Sequence, residues 1–242
     1  MTVLAVIPAR GGSKGVLGKN LRTVGGVSLV CRAVACARES GQVDRILVTT
    51  DDPAIREHAL ACGAEAPFLR PAELATDYTP GIDAVLHAVQ AYEEHTRVGV
   101  DTVVLLEPPN PFRRPAGVAA AVNRYRQGVF GSVVGVFPLR RKPSNIFVKN
   151  PDGSLCQLLE DAEHQYTRRQ DMRRLCRLSS TVYVVGRDDL MARKALLVPP
   201  VGFVEGNDIE AVNIDEEIDL EYARFLWERI SQGEFPPKGE QV

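Results

Sequence analysis

The sequence predicts an α/β domain built on an open, mainly parallel sheet. Three observations predict it. Apolar runs that read as strands recur at Val3–Ile7, Arg45–Thr49, Thr102–Leu106 and Ser132–Phe137. Helical patterns stand between them, the alternation of βαβ units. The first run opens directly into a loop rich in glycine and cations, the place where such folds hold ligands.

Each element carries its own signal. Ser28 is placed to cap a helix in which Leu29, Val30, Ala33, Val34 and Ala37 share a face. The strand Arg45–Thr49 ends at Asp51-Asp52, and Ala54–Cys62 reads as a helix stopped by Gly63. Ile82–Tyr92 reads as another helix. Thr102–Leu106 runs into a polar, proline-rich loop, after which Pro115 starts a helix with Val118, Ala121, Val122 and Tyr125 inward. The pattern changes near Leu139: residues 139–180 are polar, rich in arginine and without a sustained helical period. Pro151-Asp152-Gly153 is a turn signal that fits a small β-excursion. Thr181–Val185 resumes regular structure, Ala211–Ile214 reads as strand-like, and Ile218–Ile230 reads as an amphipathic helix carrying Leu220, Ala223, Leu226 and Trp227. The tail from Gln232 has few apolar groups and reads as mobile. The expected division is a main domain of residues 1–137 and 181–231, an excursion at 138–180 and a tail at 232–242.

Composition narrows the function. At 242 residues the chain suits one large domain, and a net charge of -2 gives no sign of a nucleic-acid or membrane-surface partner. The five cysteines are scattered, with no Cys-x-x-Cys pair, which predicts reduced thiols in a cytoplasmic protein. No apolar run approaches membrane-spanning length. The histidines show no His-Glu-x-x-His spacing, and no Gly-x-Ser-x-Gly elbow is present.

The chemistry concentrates in Ile7–Asn20. Arg10, Lys14 and Lys19 share this stretch with Gly11, Gly12, Gly15 and Gly18. Glycine brings backbone N–H groups close to a ligand, and fixed positive charge complements a polyphosphate. It is not a P-loop: Gly12 to Gly18 is one residue too long, and Asn20 follows Lys19 where a magnesium-binding hydroxyl would stand. Nor is Gly-x-Gly-x-x-Gly present in the loop. A solvated basic loop is the plain alternative; the combination of glycines and cations favours a nucleoside triphosphate.

Further blocks follow in order: Thr49-Thr50-Asp51-Asp52, Gly63 to Asp77, Leu105 to Arg113, Arg168-Arg169-Gln170-Asp171 with Thr181-Val182-Tyr183, and Val212 to Leu220. With Ile7–Asn20 they span residues 1 to about 230, and the chain resembles the acylneuraminate cytidylyltransferases, the CMP-sialic acid synthetase family. The resemblance implies a Rossmann-like sheet of the nucleotide-diphospho-sugar transferase type. It implies transfer of CMP from CTP to an acidic sugar with release of pyrophosphate, dependence on Mg2+, and a homodimer in which residues 138–180 form the dimerisation arm.

The resemblance also implies roles. Arg10 and Lys19 would contact the triphosphate and stabilise charge on the leaving pyrophosphate. Ala9, Gly11, Gly12, Ser13 and Lys14 would complete the nucleotide loop, with Asp77 supporting the neighbouring one. Asn20 fits either a nucleoside contact or a helix cap, and Arg70 either cytidine recognition or a surface arginine beside a turn. Asp215 is the metal candidate, with Asn213 where the family often has a second aspartate, and Asp208 and Glu210 as reserves. Capping of the last helix is the alternative for this acidic group.

On the acceptor side the resemblance points to Glu107, Arg169, Gln170, Ser179 and Tyr183. Here the chain departs from the pattern. Glu107 replaces a glutamine, Pro109-Asn110 replaces Thr-Ser, and Ser179-Ser180 replaces Asn-Gly. A carboxylate at Glu107 repels an acidic substrate unless it is protonated or paired. A different acid, such as a deoxyulosonic acid or a phosphonate, is therefore an alternative acceptor. A non-catalytic nucleotide-binding module is the alternative of another class.

Overall fold

The computed structural model describes residues 1–139, 146–158 and 175–234. Its centre is a six-stranded sheet. The strands are β1 (Val3–Pro8), β4 (Arg45–Thr49), β5 (Thr102–Leu105), β6 (Ser132–Pro138), β9 (Cys176–Gly186) and β10 (Val201–Glu205), in the order β10-β6-β9-β5-β1-β4. β1 pairs in parallel with β4 and β5, and β10 in parallel with β6. β9 runs antiparallel between β5 and β6, with a register shift between Val134 and Val136.

Helices cover both faces, so the central strands are apolar on both sides. Ala5 and Ile7 of β1 face α1 (Leu29–Glu39) and α4 (Pro115–Tyr125) in a core with Val34, Ala37, Val118 and Val122. Leu4 and Val6 face the opposite core, formed with α3 (Gly81–Thr96) and α5 (Arg187–Arg193) through Val85, Val89, Tyr92 and Leu190. Ser28 caps α1 by accepting from Cys31 N, and Asp52 caps α2 (Pro53–Ala61) by accepting from Ala54 N. A third, smaller cluster matters most for function. Val16, in the glycine loop, is fully buried with Val24, Leu29 and Ile214 against Leu220 and Ala223 of α6 (Glu217–Ser231). The cationic loop is thus bolted to the last helix.

The structure differs from expectation at several points. Ala211–Ile214 is not a strand. Its amides enter turn bonds instead, Ala211 N to Asn207 O and Val212 N to Ile209 O, over a turn tied by the Asn207 side chain. β10, α5 and the short hairpin of β2 (Thr23–Val24) and β3 (Val27–Ser28) had no clear sequence signal. β9 begins at Cys176, opposite Pro138, so the main sheet extends into the stretch assigned to the excursion. Within that excursion the turn at Pro151-Asp152-Gly153 joins β7 (Phe147–Lys149) to β8 (Leu155–Gln157), as the turn signal predicts. The reduced-thiol expectation holds for Cys36, Cys156 and Cys176 but not for Cys31 and Cys62, which are joined as a disulfide. Among the described residues no helix is long and apolar enough to cross a membrane.

Candidate active site

The loops after β1 and β5, the segment after α2 and the turn before α6 meet beyond the carboxyl ends of the strands, around a crevice of about 590 Å³; Asp51 and Asp52, in the loop after β4, do not line it. Arg10, Ser13, Lys14, Lys19 and Asn20 line it from the first loop, and Arg70 and Asp77 from the segment after α2. Glu107, Ser180, Asn213 and Asp215 form the opposite wall. Sequence blocks some 200 residues apart therefore share one cavity.

The glycine loop reaches this geometry because of close approach. A Cβ on Gly15 would lie 2.1 Å from the Asp215 carbonyl oxygen, so only glycine fits there. Gly18 takes a positive φ of 62°, where glycine carries no Cβ penalty, and starts the 3-10 turn Lys19–Leu21. Asn20 is buried, and its amide donates to the Arg10 carbonyl at 2.9 Å, closing the loop across its base. It caps no helix; Gly18 stands at the cap position. Gly11 N donates to Asp51 Oδ1 at 3.0 Å, which ties the loop to the end of β4.

Each loop cation faces a carboxylate. Arg10 Nη1 and Lys14 Nζ lie 2.8 and 2.6 Å from the two oxygens of Asp77. Hydrogen bonds from Lys14 and then Arg10 hold that carboxyl below the usual range. Lys19 Nζ lies 3.0 Å from Asp215 Oδ1 and donates to the Ile214 carbonyl at 2.7 Å. Arg70 is buried, with Nη2 3.5 Å from Asp51 Oδ1; its Nε and Nη2 have no hydrogen-bond acceptor. Unmet donors of a buried guanidinium on a cavity wall are suited to a ligand's acceptors.

Capping of α6 falls to other residues. Glu216 and Asp219 form a capping box, and Asp219 Oδ2 also accepts from Asp215 N at 2.9 Å. The Asp215 carboxylate is left facing the crevice, two-thirds exposed at 66%, bonded by Lys19 and by the Asn213 amide. Of the two reserves, Glu210 is buried in an ion pair with Arg114 at 2.7 Å and lies outside the crevice, and Asp208 does not line it either. The oxygen donors of Asp215 and Asn213, beside cations that would bring phosphates, fit the hard-ligand set that Mg2+ takes: one or two protein oxygens plus substrate phosphate.

The residues expected on the acceptor side are placed differently from expectation. Ser179 faces away from the crevice. It bonds Thr181 Oγ1 at 2.6 Å, and both side chains sit over Gly135 of β6, where an added Cβ would lie 2.6 and 2.3 Å from their hydroxyl oxygens. Strand alternation turns the next residue, Ser180, toward the cavity, where its single hydroxyl proton has two acceptors in reach, Asn213 Oδ1 at 3.5 Å and the Glu107 carboxylate. Tyr183 lies behind this wall in the sheet, paired with Leu105, and does not line the crevice. Burial, and then the Glu107 charge, raise its phenol. Ala9, Gly11 and Gly12 likewise do not line the crevice. Arg169 and Gln170 lie outside the described residues.

Burial pushes the Glu107 carboxyl above the ordinary range, against the Ser180 hydrogen bond and the Arg113 charge, and the Asp215 charge adds to the rise. Arg113 was not singled out from the sequence. It is buried, and its guanidinium donates to the carbonyls of Thr181, Glu107 and Ser180, joining the β5 loop to β9. Only its place in the Leu105–Arg113 block pointed toward it.

The fold and the crevice define a Rossmann-like α/β protein with a cationic site at the carboxyl edge of its sheet. Residues 4–196 match the family described as Cytidylyltransferase. The CMP-N,N'-diacetyllegionaminic acid synthase of Legionella pneumophila is 33% identical over 94% of this chain and 97% of its own length. The pseudaminic acid cytidylyltransferase of Campylobacter jejuni is 28% identical over 94% and 97%. Among solved structures, a CMP:2-keto-3-deoxy-manno-octonic acid synthetase complexed with CTP superposes with a TM-score of 0.68 over 96% of this chain and all of that one; at 20% identity this likeness concerns the fold. The chain belongs to the cytidylyltransferase family.

Proposed function

We propose that the protein transfers CMP from CTP to the anomeric hydroxyl of an acidic sugar of the nonulosonic type, releasing pyrophosphate. The observation that carries this reading is the convergence of Arg10, Lys14, Lys19 and Arg70 with Asp215 on one crevice. Relatives named for legionaminic and pseudaminic acid support the acceptor class.

In this reading Arg10 and Lys14 exchange Asp77 for phosphate oxygens, and Lys19 holds the triphosphate against the Asp215 edge. Arg70 offers its unmet donors to the nucleotide. The acceptor oxygen attacks the α-phosphorus, its bond to the β-phosphate oxygen breaks, the hydroxyl proton is released, and pyrophosphate leaves with the cations' help. Mg2+, held by Asp215 and Asn213, would screen the growing charge on the leaving phosphates. Glu107 and Ser180 line the acceptor side, and Arg113 positions both.

The protein works as a homodimer in the cytoplasm, where CTP is made. The exposed Phe147, Val148 and Leu155 of the β7–β8 hairpin support a surface covered by a second copy, which light scattering tests. Glu107, in place of the glutamine of the resembled family, favours a second reading in which the acceptor is another acid, such as a deoxyulosonic acid or a phosphonate. Incubation with each of the four nucleoside triphosphates and a panel of such acids, read by product mass, decides between them. A CMP-linked nonulosonic acid made only from CTP supports the first reading. A CMP-linked product with another acid alone supports the second. CTP binding without pyrophosphate release from any acceptor overturns both and leaves a nucleotide-binding module.

A further inference from the structure

Away from the crevice, the first turn of α1 and the end of α2 bring together Cys31, Cys62 and His58. The two cysteines are bonded, with Cα atoms 5.7 Å apart and a sequence separation of 31. His58 Nε2 lies 3.3 Å from Cys31 Sγ and 2.8 Å from Ser28 Oγ, and Ser28 Oγ accepts from Cys31 N. We propose that Cys31 and Cys62 are a reversible dithiol–disulfide couple in which Cys31 is the attacking thiolate and Cys62 the resolving thiol.

The two sulfurs are not equivalent. Cys31 stands in the first turn of a helix, where unpaired N–H groups and the helix dipole favour a negative sulfur. An imidazole at hydrogen-bonding distance adds to that preference. Cys62 closes the carboxyl end of α2, where the dipole has the opposite sign. A sulfur stabilised as thiolate is both the better nucleophile fraction and the better leaving group, so a bond ending on it opens and closes readily. Cys36 provides the contrast: burial pushes its thiol up to about 11, and it has no sulfur partner.

The chemistry balances with a disulfide oxidant such as oxidised glutathione. The Cys31 thiolate attacks one glutathione sulfur and releases the other as a thiolate. Cys62 then loses its proton and attacks Cys31 Sγ, releasing the second glutathione. Two protein thiols lose two protons and two electrons, and the oxidant is reduced to two thiols. The same Cys31, Cys62 and His58 atoms lie within 4.8 Å of one another, so divalent zinc is a competing occupant that the test must distinguish.

The experiment uses the full chain, equilibrated in graded mixtures of reduced and oxidised glutathione, alkylated, and mapped by mass. The expected result is a single two-electron transition confined to Cys31 and Cys62, with Cys156 and Cys176 alkylated throughout. In Cys62→Ser, oxidised glutathione should add to Cys31 faster than to the exposed Cys156 and Cys176. With both cysteines retained, His58→Gln should slow opening by dithiothreitol severalfold relative to wild type, a measurement that does not need the cysteine variant to fold. A bond that survives excess reductant in the folded protein overturns the proposal, as do thiols that stay alkylatable in oxidised glutathione. Stoichiometric zinc that protects both thiols until chelated also overturns it, and so does glutathione adding first at Cys156 or Cys176.

Discussion

Lys19 and Asp215 stand 196 residues apart in the chain and 3.0 Å apart in space, with the lysine also donating to the carbonyl of Ile214. The contact joins the first loop of the domain to the turn before its last helix. It also pairs a cation with a carboxylate at this edge of the crevice; in the proposed function the first meets the triphosphate and the second the divalent ion. A nucleotide carrying Mg2+ would meet both charges with the opposite sign.

Lys19→Ala is expected to lower kcat/KM for CTP by roughly a hundredfold to a thousandfold, the size of losing one fixed charge at a leaving group. Asp215→Asn should instead raise the Mg2+ concentration needed for half-maximal rate. Initial rates over a grid of CTP and Mg2+ separate the two effects. Equal rates for Lys19→Ala and wild type would remove Lys19 from the triphosphate site.

Arg70 separates function from stability. Its guanidinium is buried with two nitrogens unmet, an arrangement that costs stability until a ligand accepts from them. Arg70→Leu is therefore expected to leave the thermal midpoint unchanged or raised while CTP affinity falls at least about tenfold. Calorimetric titration beside a melting curve reads both. A strongly destabilised variant would show that the Asp51 contact at 3.5 Å matters more than the unmet donors.

Asp77 holds at once Arg10 and Lys14, the two cations that the proposed function assigns to phosphate. Asp77→Asn should release them and tighten CTP severalfold, most clearly at low salt, where exposed charges are least screened. Because its carboxyl is held below the usual range, its contribution to stability is present above the ordinary carboxylate pKa and lost as pH falls through the folded value. Weaker CTP binding by the variant would mean that Asp77 orders the loop rather than competing for it.

Much of this site was legible in the sequence because its signals are local. The glycines and cations of residues 10–19 announce a positively charged loop with close backbone approaches, and the structure explains Gly15 by the Asp215 carbonyl at its back. What was not legible depends on register and long-range hydrogen bonds. Whether Ser179 or Ser180 faces the crevice is decided by the pairing of β9 with β6 and its irregularity at Val134/Val136, which no local pattern encodes. Besides the Glu107 carbonyl, Arg113 donates to carbonyls 67 and 68 residues away, partners that its sequence neighbours do not reveal. Ala211–Ile214 has the alternation of a strand, but the turn anchored by Asn207 takes its amides. β10 is only five residues, follows Pro199-Pro200 and contains Gly202, breaker signals that mask its apolar Val201, Phe203 and Val204.

Gly15 tests the bolt between loop and last helix. Gly15→Ala places a methyl group against a backbone carbonyl that cannot rotate away. The expected cost is about 1–3 kcal/mol, the range of overpacking, read as a lower denaturant midpoint. Lys19 should lose its grip on Asp215 at the same time, so CTP affinity falls too. Gly12→Ala is the control, since an added Cβ there meets nothing within 4 Å.

Glu107 carries the pH dependence. Its carboxyl is raised, chiefly by burial, so the folded state keeps a proton that the unfolded chain gives up near the ordinary value of about 4.3. The sign follows: the native state binds more protons in that interval, so this residue's contribution is full below the unfolded value and declines as pH rises through the folded one. Glu107→Gln removes the titration and keeps the shape. Its stability should lose that part of the decline above the carboxylate range, measured as melting midpoints at successive pH values. The same substitution tests the acceptor wall. An ionised Glu107 repels a sugar acid while a neutral amide does not, so the variant's KM for the acceptor should stop rising with pH while KM for CTP stays put. If wild type and Glu107→Gln show the same acceptor profile, the carboxyl is either neutral throughout or remote from the acid, and the acceptor lies elsewhere on the wall.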